Sequence, residues 1–176
     1  LEKGVNSPPS SGMGRLFDGA AAILGIRRRA GYEGQGAVLL EAAADASETG
    51  EYHFDLREEG ELLTLDWRGM LRELTADLDA GASAGRCAAS FMNTLVSAAA
   101  AQVGALAGQT GLGRVVLSGG VFQNMYIMRR LPERLRAAGL EGCTHSRVSA
   151  NDEGLSLGQL MILEANYVLG GAAENS

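Results

Sequence analysis

The run Val115-Val116-Leu117-Ser118, followed at once by Gly119-Gly120, constrains this chain more than any other stretch. Three apolar residues, two of them β-branched, stop at paired glycines, and Val121-Phe122-Gln123-Asn124 then leads into an amphipathic segment from Met125 to Ala138. A short apolar run that ends in glycine and opens a helical pattern reads as strand, tight turn, helix. The glycines admit positive φ and let backbone come close to a ligand. A helix start offers unpaired N–H groups to an anionic or polar partner. A chain organised around such a turn belongs with the α/β folds.

The flanking sequence is mostly helical. Residues 1–9 form an extended lead-in ending in Pro8-Pro9, and Ser10-Ser11-Gly12 caps a helix whose stripe is Met13, Leu16, Phe17, Ala20 and Leu24, stopped by Gly25. The glycine-rich loop Gly31 to Gly36 leads into a shorter helix from about Ala37 to Ala44. Tyr52, Phe54 and Leu56 alternate with polar residues, and a second apolar run, Leu62 to Leu65, follows Arg57-Glu58-Glu59-Gly60, which predicts a β-hairpin. Asp66 caps a helix with Trp67, Met70, Leu71, Leu74 and Leu78 inward, and Gly81 ends it. Ser83 begins a long helix with Phe91, Leu95, Ala98, Gln102 and Leu106 on one side. Beyond the central turn, Pro132 predicts a kink or break in the next helix, and Cys143 to Arg147 reads as a short strand. The polar turn Asn151-Asp152 and an apolar helix from Leu155 to about Leu169 follow. Residues 1–170 are thus expected to form one lobe, with 171–176 a disordered tail.

Charge and cysteine usage exclude several classes. At 176 residues and a net charge of −6, with Arg27-Arg28-Arg29 the one basic cluster, the chain has no electrostatic reason to bind nucleic acid stably. The opening residues lack a secretory apolar region, and the longest apolar stretch, around Leu95 to Ala107, is too short and too interrupted to span a bilayer. Cys87 and Cys143 lie far apart and suggest neither a zinc knuckle nor a disulfide framework. A cytoplasmic protein with free thiols, no nucleic-acid partner and no membrane contact is expected.

Two polar turns follow consecutive predicted strands, at Gly119-Gly120 and at Asn151-Asp152. In open α/β sheets ligands bind outside the carboxyl ends of strands, so the turns share a crevice if the strands are parallel neighbours. Neither a Walker loop nor a G-x-G-x-x-G pattern is present. Asn124 offers an amide that both donates and accepts, suited to a nucleobase edge, although Gly-Gly also serves as a plain tight turn. Asp152 suits a divalent metal as a hard oxygen donor, or else caps the last helix. Asp18, on the polar side of the first helix, could accept from both hydroxyls of a ribose or simply face solvent. His53 and His145 read as structural or surface residues, Cys143 as a small apolar one.

Taken together these segments resemble one family. Ser10-Ser11-Gly12-Met13-Gly14-Arg15-Leu16-Phe17-Asp18, Tyr32-Glu33-Gly34-Gln35, Leu117-Ser118-Gly119-Gly120-Val121-Phe122-Gln123-Asn124 and Asn151-Asp152-Glu153-Gly154-Leu155-Ser156-Leu157-Gly158-Gln159 resemble, in that order, the C-terminal part of HypF carbamoyltransferases. The resemblance implies an α/β fold, the second lobe of an actin-like, Hsp70-like ATPase domain. It implies a carbamoyltransferase of nickel–iron hydrogenase maturation, which uses carbamoyl phosphate and ATP to make carbamoyl-adenylate and passes the carbamoyl group to the C-terminal cysteine of HypE. By position, Asp18 would contact ribose, Gly34 would sit in the loop closing over the nucleotide, and Gly119 and Gly120 would line the phosphate and adenosine side. Asn124 would contact base or sugar, and Asp152 would ligate a divalent metal, iron or zinc. The nucleophile would come from HypE, so no catalytic nucleophile is expected here. The metal-binding histidine pair and the acylphosphatase-like, zinc-finger and YrdC-like domains of the family do not occur in this sequence. Met92 stands where many relatives carry histidine, and Glu153 where glycine is common. An O-carbamoyltransferase of natural-product synthesis and a non-catalytic nucleotide-binding or scaffold module are the alternatives.

Overall fold

A computed structural model describes residues 10–60 and 62–173. In chain order the elements are α1 (Met13–Ile23), α2 (Gln35–Ala43), β1 (Asp55–Glu59), β2 (Leu62–Asp66), α3 (Arg68–Asp79), α4 (Ala84–Thr110), β3 (Arg114–Leu117), α5 (Met125–Ala137), β4 (Glu141–Thr144) and α6 (Leu155–Ala173). Single 3₁₀ turns at Gly120–Gln123 and Asp152–Gly154 precede α5 and α6. The lead-in 1–9 and residues 174–176 of the expected tail lie outside the described residues, whereas α6 continues through Ala173.

The core forms around α4. Ser83 starts that helix by accepting from the N–H of Arg86 at 3.2 Å, and Gly111, at φ +72°, ends it. Every residue from Cys87 to Ala98 is buried, so the one-sided stripe expected there is corrected to burial all round. The reason is that α1, α2, α3 and α5 all pack against this helix. Phe17 of α1 meets Phe91 edge-on, with ring centroids 5.5 Å apart. Farther along, support is one-sided: the Gln102 amide donates to the Leu63 carbonyl of β2, while Leu106 is exposed. At 27 residues α4 is long and apolar enough to cross a membrane, longer than the interrupted stretch read from sequence, but its first half is core.

β1 and β2 form the predicted hairpin with Leu56 opposite Leu65, shifted toward the turn so that Tyr52 and Phe54 precede the strand. Tyr52 is nevertheless buried, its N–H donating to Thr94 Oγ1 at 2.7 Å. Asp66 accepts from the N–H of Arg68 and holds the guanidinium groups of Arg68 and Arg57 at 2.8 and 2.6 Å, which fixes the corner into α3. α5 runs through Pro132 without a break, so of the kink or break expected there the break does not occur.

Candidate functional site

β3 and β4 are neighbours and parallel, with Leu117 opposite Thr144, so their carboxyl ends open on one side. The condition for joining the two polar turns is met, and a hydrogen bond makes the join: Gly119 N–H donates to the Ala150 carbonyl at 2.7 Å. Gly119 sits at φ +108°, a left-handed region that favours glycine. Gly154 is also required, because a Cβ there would lie 2.9 Å from the Ser149 carbonyl oxygen.

The helix start beside this turn is not free for a ligand. Glu41, near the end of α2, accepts from the N–H groups of Met125 at 2.8 Å and Tyr126 at 3.1 Å, and Asn124 Oδ1 accepts from Ile127 N–H at 3.0 Å. A carboxylate and an amide of the protein thus occupy the positive end of α5. Asn124, expected to face a nucleobase, is buried, and its Nδ2 lies 3.6 Å from Met92 Sδ. That corrects its placement: the amide is committed to the cap and the core. It also accounts for Met92, which is fully buried against it. The donors left over are the N–H groups of Gly120 and Val121, which have no partner among the described residues. Tyr126 lies just inside, its hydroxyl donating to Asn93 Oδ1 at 2.9 Å and the Arg130 guanidinium 3.6 Å above its ring. Burial pushes its phenol up, opposed by Arg130 and Asn93.

A second group assembles where α1 meets α2. Asp18 and Gly34 line one open cavity of about 560 Å³ with Arg15, Gly31, Tyr32 and Glu33. Gly34 takes φ +79° as the residue before α2, and Arg15 pairs with Asp18 at 2.9 Å. Gly36 permits the arrangement, since a Cβ there would come within 2.7 Å of Asp18 Oδ1. Glu41 links the groups, seven residues after Gly34 on α2, so they stand roughly 10 Å apart along that helix. The Gly119 turn does not line the cavity that Asp18 and Gly34 share. A hollow of about 370 Å³ beside Pro132 and Gly142 lies toward the amino end of β4, away from both.

Asp152 is exposed beside the Gly119 turn. Asn151 caps the 3₁₀ turn that opens into α6, its Oδ1 accepting from Glu153 N–H at 3.1 Å. Among the described residues no three His, Cys, Asp or Glu groups converge as a metal site requires. Both cysteines are free.

Sequence reasoning missed four residues. Glu41 acts across 84 residues and leaves no local signal. Gly36, in the first turn of α2, follows a glycine-rich stretch that hides its steric role. Ser118 and His145, whose Oγ and Nε2 are 2.9 Å apart, each follow a strand directly, and that shared position was the available signal.

Helices layered around α4, with a parallel pair whose carboxyl ends carry the glycine turn, define a helix-rich α/β lobe of Kae1-like type. The family model described as "Carbamoyltransferase, Kae1-like Domain, second subdomain" matches residues 1–159, and the chain belongs to the HypF carbamoyltransferase family. It is 33% identical over 156 residues to carbamoyltransferase HypF of Synechocystis sp., covering 88% of this chain and 20% of the relative. It is 35% identical over 188 residues to carbamoyltransferase HypF2 of Cupriavidus necator, covering 92% and 23%. A crystal structure of full-length HypF in the phosphate- and nucleotide-bound form superposes with a TM-score of 0.83 at 38% identity, covering 90% of this chain and 21% of that one. T. kodakarensis HypF gives 0.78 at 30% identity, covering 97% and 22%. The expected family and fold class hold, and the chain spans about a fifth of the length of these relatives.

Proposed function

We propose that this chain is the part of a HypF-type carbamoyltransferase that holds a carbamoyl-adenylate, made from carbamoyl phosphate and ATP, while the carbamoyl group passes to the C-terminal cysteine of a HypE-like acceptor in the cytoplasm. The observation that carries the reading is the cavity of about 560 Å³ in which Asp18 and Gly34 meet. A carboxylate beside an open loop suits a ribose diol, and the N–H groups of Gly120 and Val121 suit a phosphate or carbonyl oxygen. Likeness to a HypF solved with phosphate and nucleotide bound supports the same assignment. Asp152 would be one ligand of a divalent metal whose other ligands come from the additional domains that relatives carry. Asn124 would act indirectly, by fixing the turn from inside.

Catalysis at such a site is positioning plus charge stabilisation, with the acceptor supplying its own nucleophile. Calorimetry with ATP tests the reading: Asp18→Asn and Gly34→Ala should each weaken binding at least about tenfold, the energy of one good charged hydrogen bond or a strained φ. Unchanged affinity in both variants would remove the nucleotide site from this cavity.

A further inference from the structure

Because Leu117 is opposite Thr144, the next residue of each strand reaches the same edge of the parallel pair. There His145 Nε2 and Ser118 Oγ lie 2.9 Å apart. Ser118 directly precedes the Gly119-Gly120 turn, where the N–H groups of Gly120 and Val121 have no partner among the described residues. An imidazole, a hydroxyl and two backbone donors therefore converge at the carboxyl ends of the strands, where α/β sheets bind ligands. Both side chains are exposed, as groups that meet a macromolecular acceptor must be. The other histidine, His53, contacts Asp55 at 3.3 Å beside the hairpin and has no such hydroxyl. Of the charged and titratable groups on the surrounding elements, Arg114 and Glu141 pair with each other at 3.0 Å at the far end of the strands. Cys143 lies on β4, and Arg147, Asp152 and Glu153 lie in the segment that follows.

We propose that Ser118 and His145 are the proton-accepting pair for carbamoyl transfer, an assignment that rests on the carbamoyltransferase reading above. A lone pair on the acceptor sulfur forms the bond to the carbamoyl carbon. The bond from that carbon to the phosphate oxygen breaks, and its electron pair leaves with the nucleotide phosphate. The acceptor's proton passes to Ser118 Oγ as the serine's own proton passes to His145 Nε2, and the imidazolium later returns it to water. Ser118 touches the nucleophile, whereas His145 acts through it as a positioning residue and proton sink. The step requires the neutral imidazole with Nδ1 protonated, which leaves Nε2 free to accept.

The test is single-turnover transfer from carbamoyl-adenylate to the acceptor across a pH series, in the complete enzyme containing this chain. His145→Gln and Ser118→Ala should each slow transfer about a hundredfold, the usual scale for a proton acceptor. Adenylate affinity by calorimetry should stay within about twofold, since no binding role is assigned to either side chain. The wild-type rate should fall as pH drops, and that acid limb should vanish in His145→Gln, while His53→Gln behaves as wild type. A retained acid limb, or affinity that falls as far as the rate, overturns the assignment. A carbamoyl group found on Ser118 by mass spectrometry overturns the relay in favour of a covalent route. Imidazole NMR of the same enzyme checks the pair itself: Ser118→Ala should move the ring resonances of His145 and leave those of His53, and an unmoved His145 overturns the pair. If the wild type transfers no carbamoyl group, the functional reading and the proton-accepting role fall together, while the NMR result still judges the contact.

Discussion

Asn93 spends its whole amide inside the protein, with Nδ2 donating to the Glu48 and Gly50 carbonyls at 3.1 Å each and Oδ1 accepting from Tyr126. Asn93→Ala strands three buried or half-buried partners and is expected to cost roughly 2–3 kcal/mol, measured as a lower urea midpoint at unchanged slope. At Gly36 the limit is steric. Gly36→Ala should displace Asp18 and weaken ATP binding, whereas Gly14→Ala, with nothing within 4 Å of the added carbon, should keep binding and gain about 0.5–1 kcal/mol of helix stability. Calorimetry and thermal unfolding of the two variants separate these effects. That Asp18 and Gly34 line one cavity agrees with their lying in short motifs near one another in sequence. Asn124 was legible as a motif residue but not as a cap, because the buried Met92 that takes its Nδ2 lies 32 residues away.

Helix α5 is held at its start by two side chains with different origins, its own Asn124 and the distant Glu41. Removing Glu41 with Glu41→Ala should cost about 1–2 kcal/mol, and Asn124→Ala about 1 kcal/mol. The double variant should depart from the sum of the singles, since both cap the same turn, and chemical denaturation of all four proteins completes that cycle. The corner between β2 and α3 responds to pH instead. Hydrogen bonding to Arg68, helped by the Arg57 charge, holds the Asp66 carboxyl well below its usual range. A depressed folded-state value stabilises the fold above the ordinary carboxylate range, and that contribution is lost as pH falls through the folded value. Acid titration should therefore loosen this corner in the wild type, and Asp66→Asn should flatten the response, read from the fluorescence of the adjacent Trp67. Element types and order were legible from periodicity and glycine stops. The first strand begins after Tyr52, whose N–H is taken by Thr94 Oγ1, a tertiary partner.

Over the whole molecule the least balanced feature is α6. Leu160, Met161, Ile162 and Leu163 are consecutive, so they sweep about 300° of the helix circumference, and each is more than half exposed. A helix apolar on every side belongs inside a larger assembly of elements. The 176-residue chain is therefore expected to self-associate, and Leu160→Glu with Leu163→Glu should shift it toward monomer in light scattering. A monodisperse wild-type monomer would refute this. The family, the α/β class, the glycine turn and the order of helices follow from the sequence, because periodicity, paired glycines and short motifs are local properties that survive without coordinates. Which amides remain open to a ligand, that Asn124 points inward, that Gly36 makes room for Asp18, and that Ser118 meets His145 were settled by packing. Each depends on residues far apart in the chain being brought within a few ångströms, and no local pattern encodes that distance.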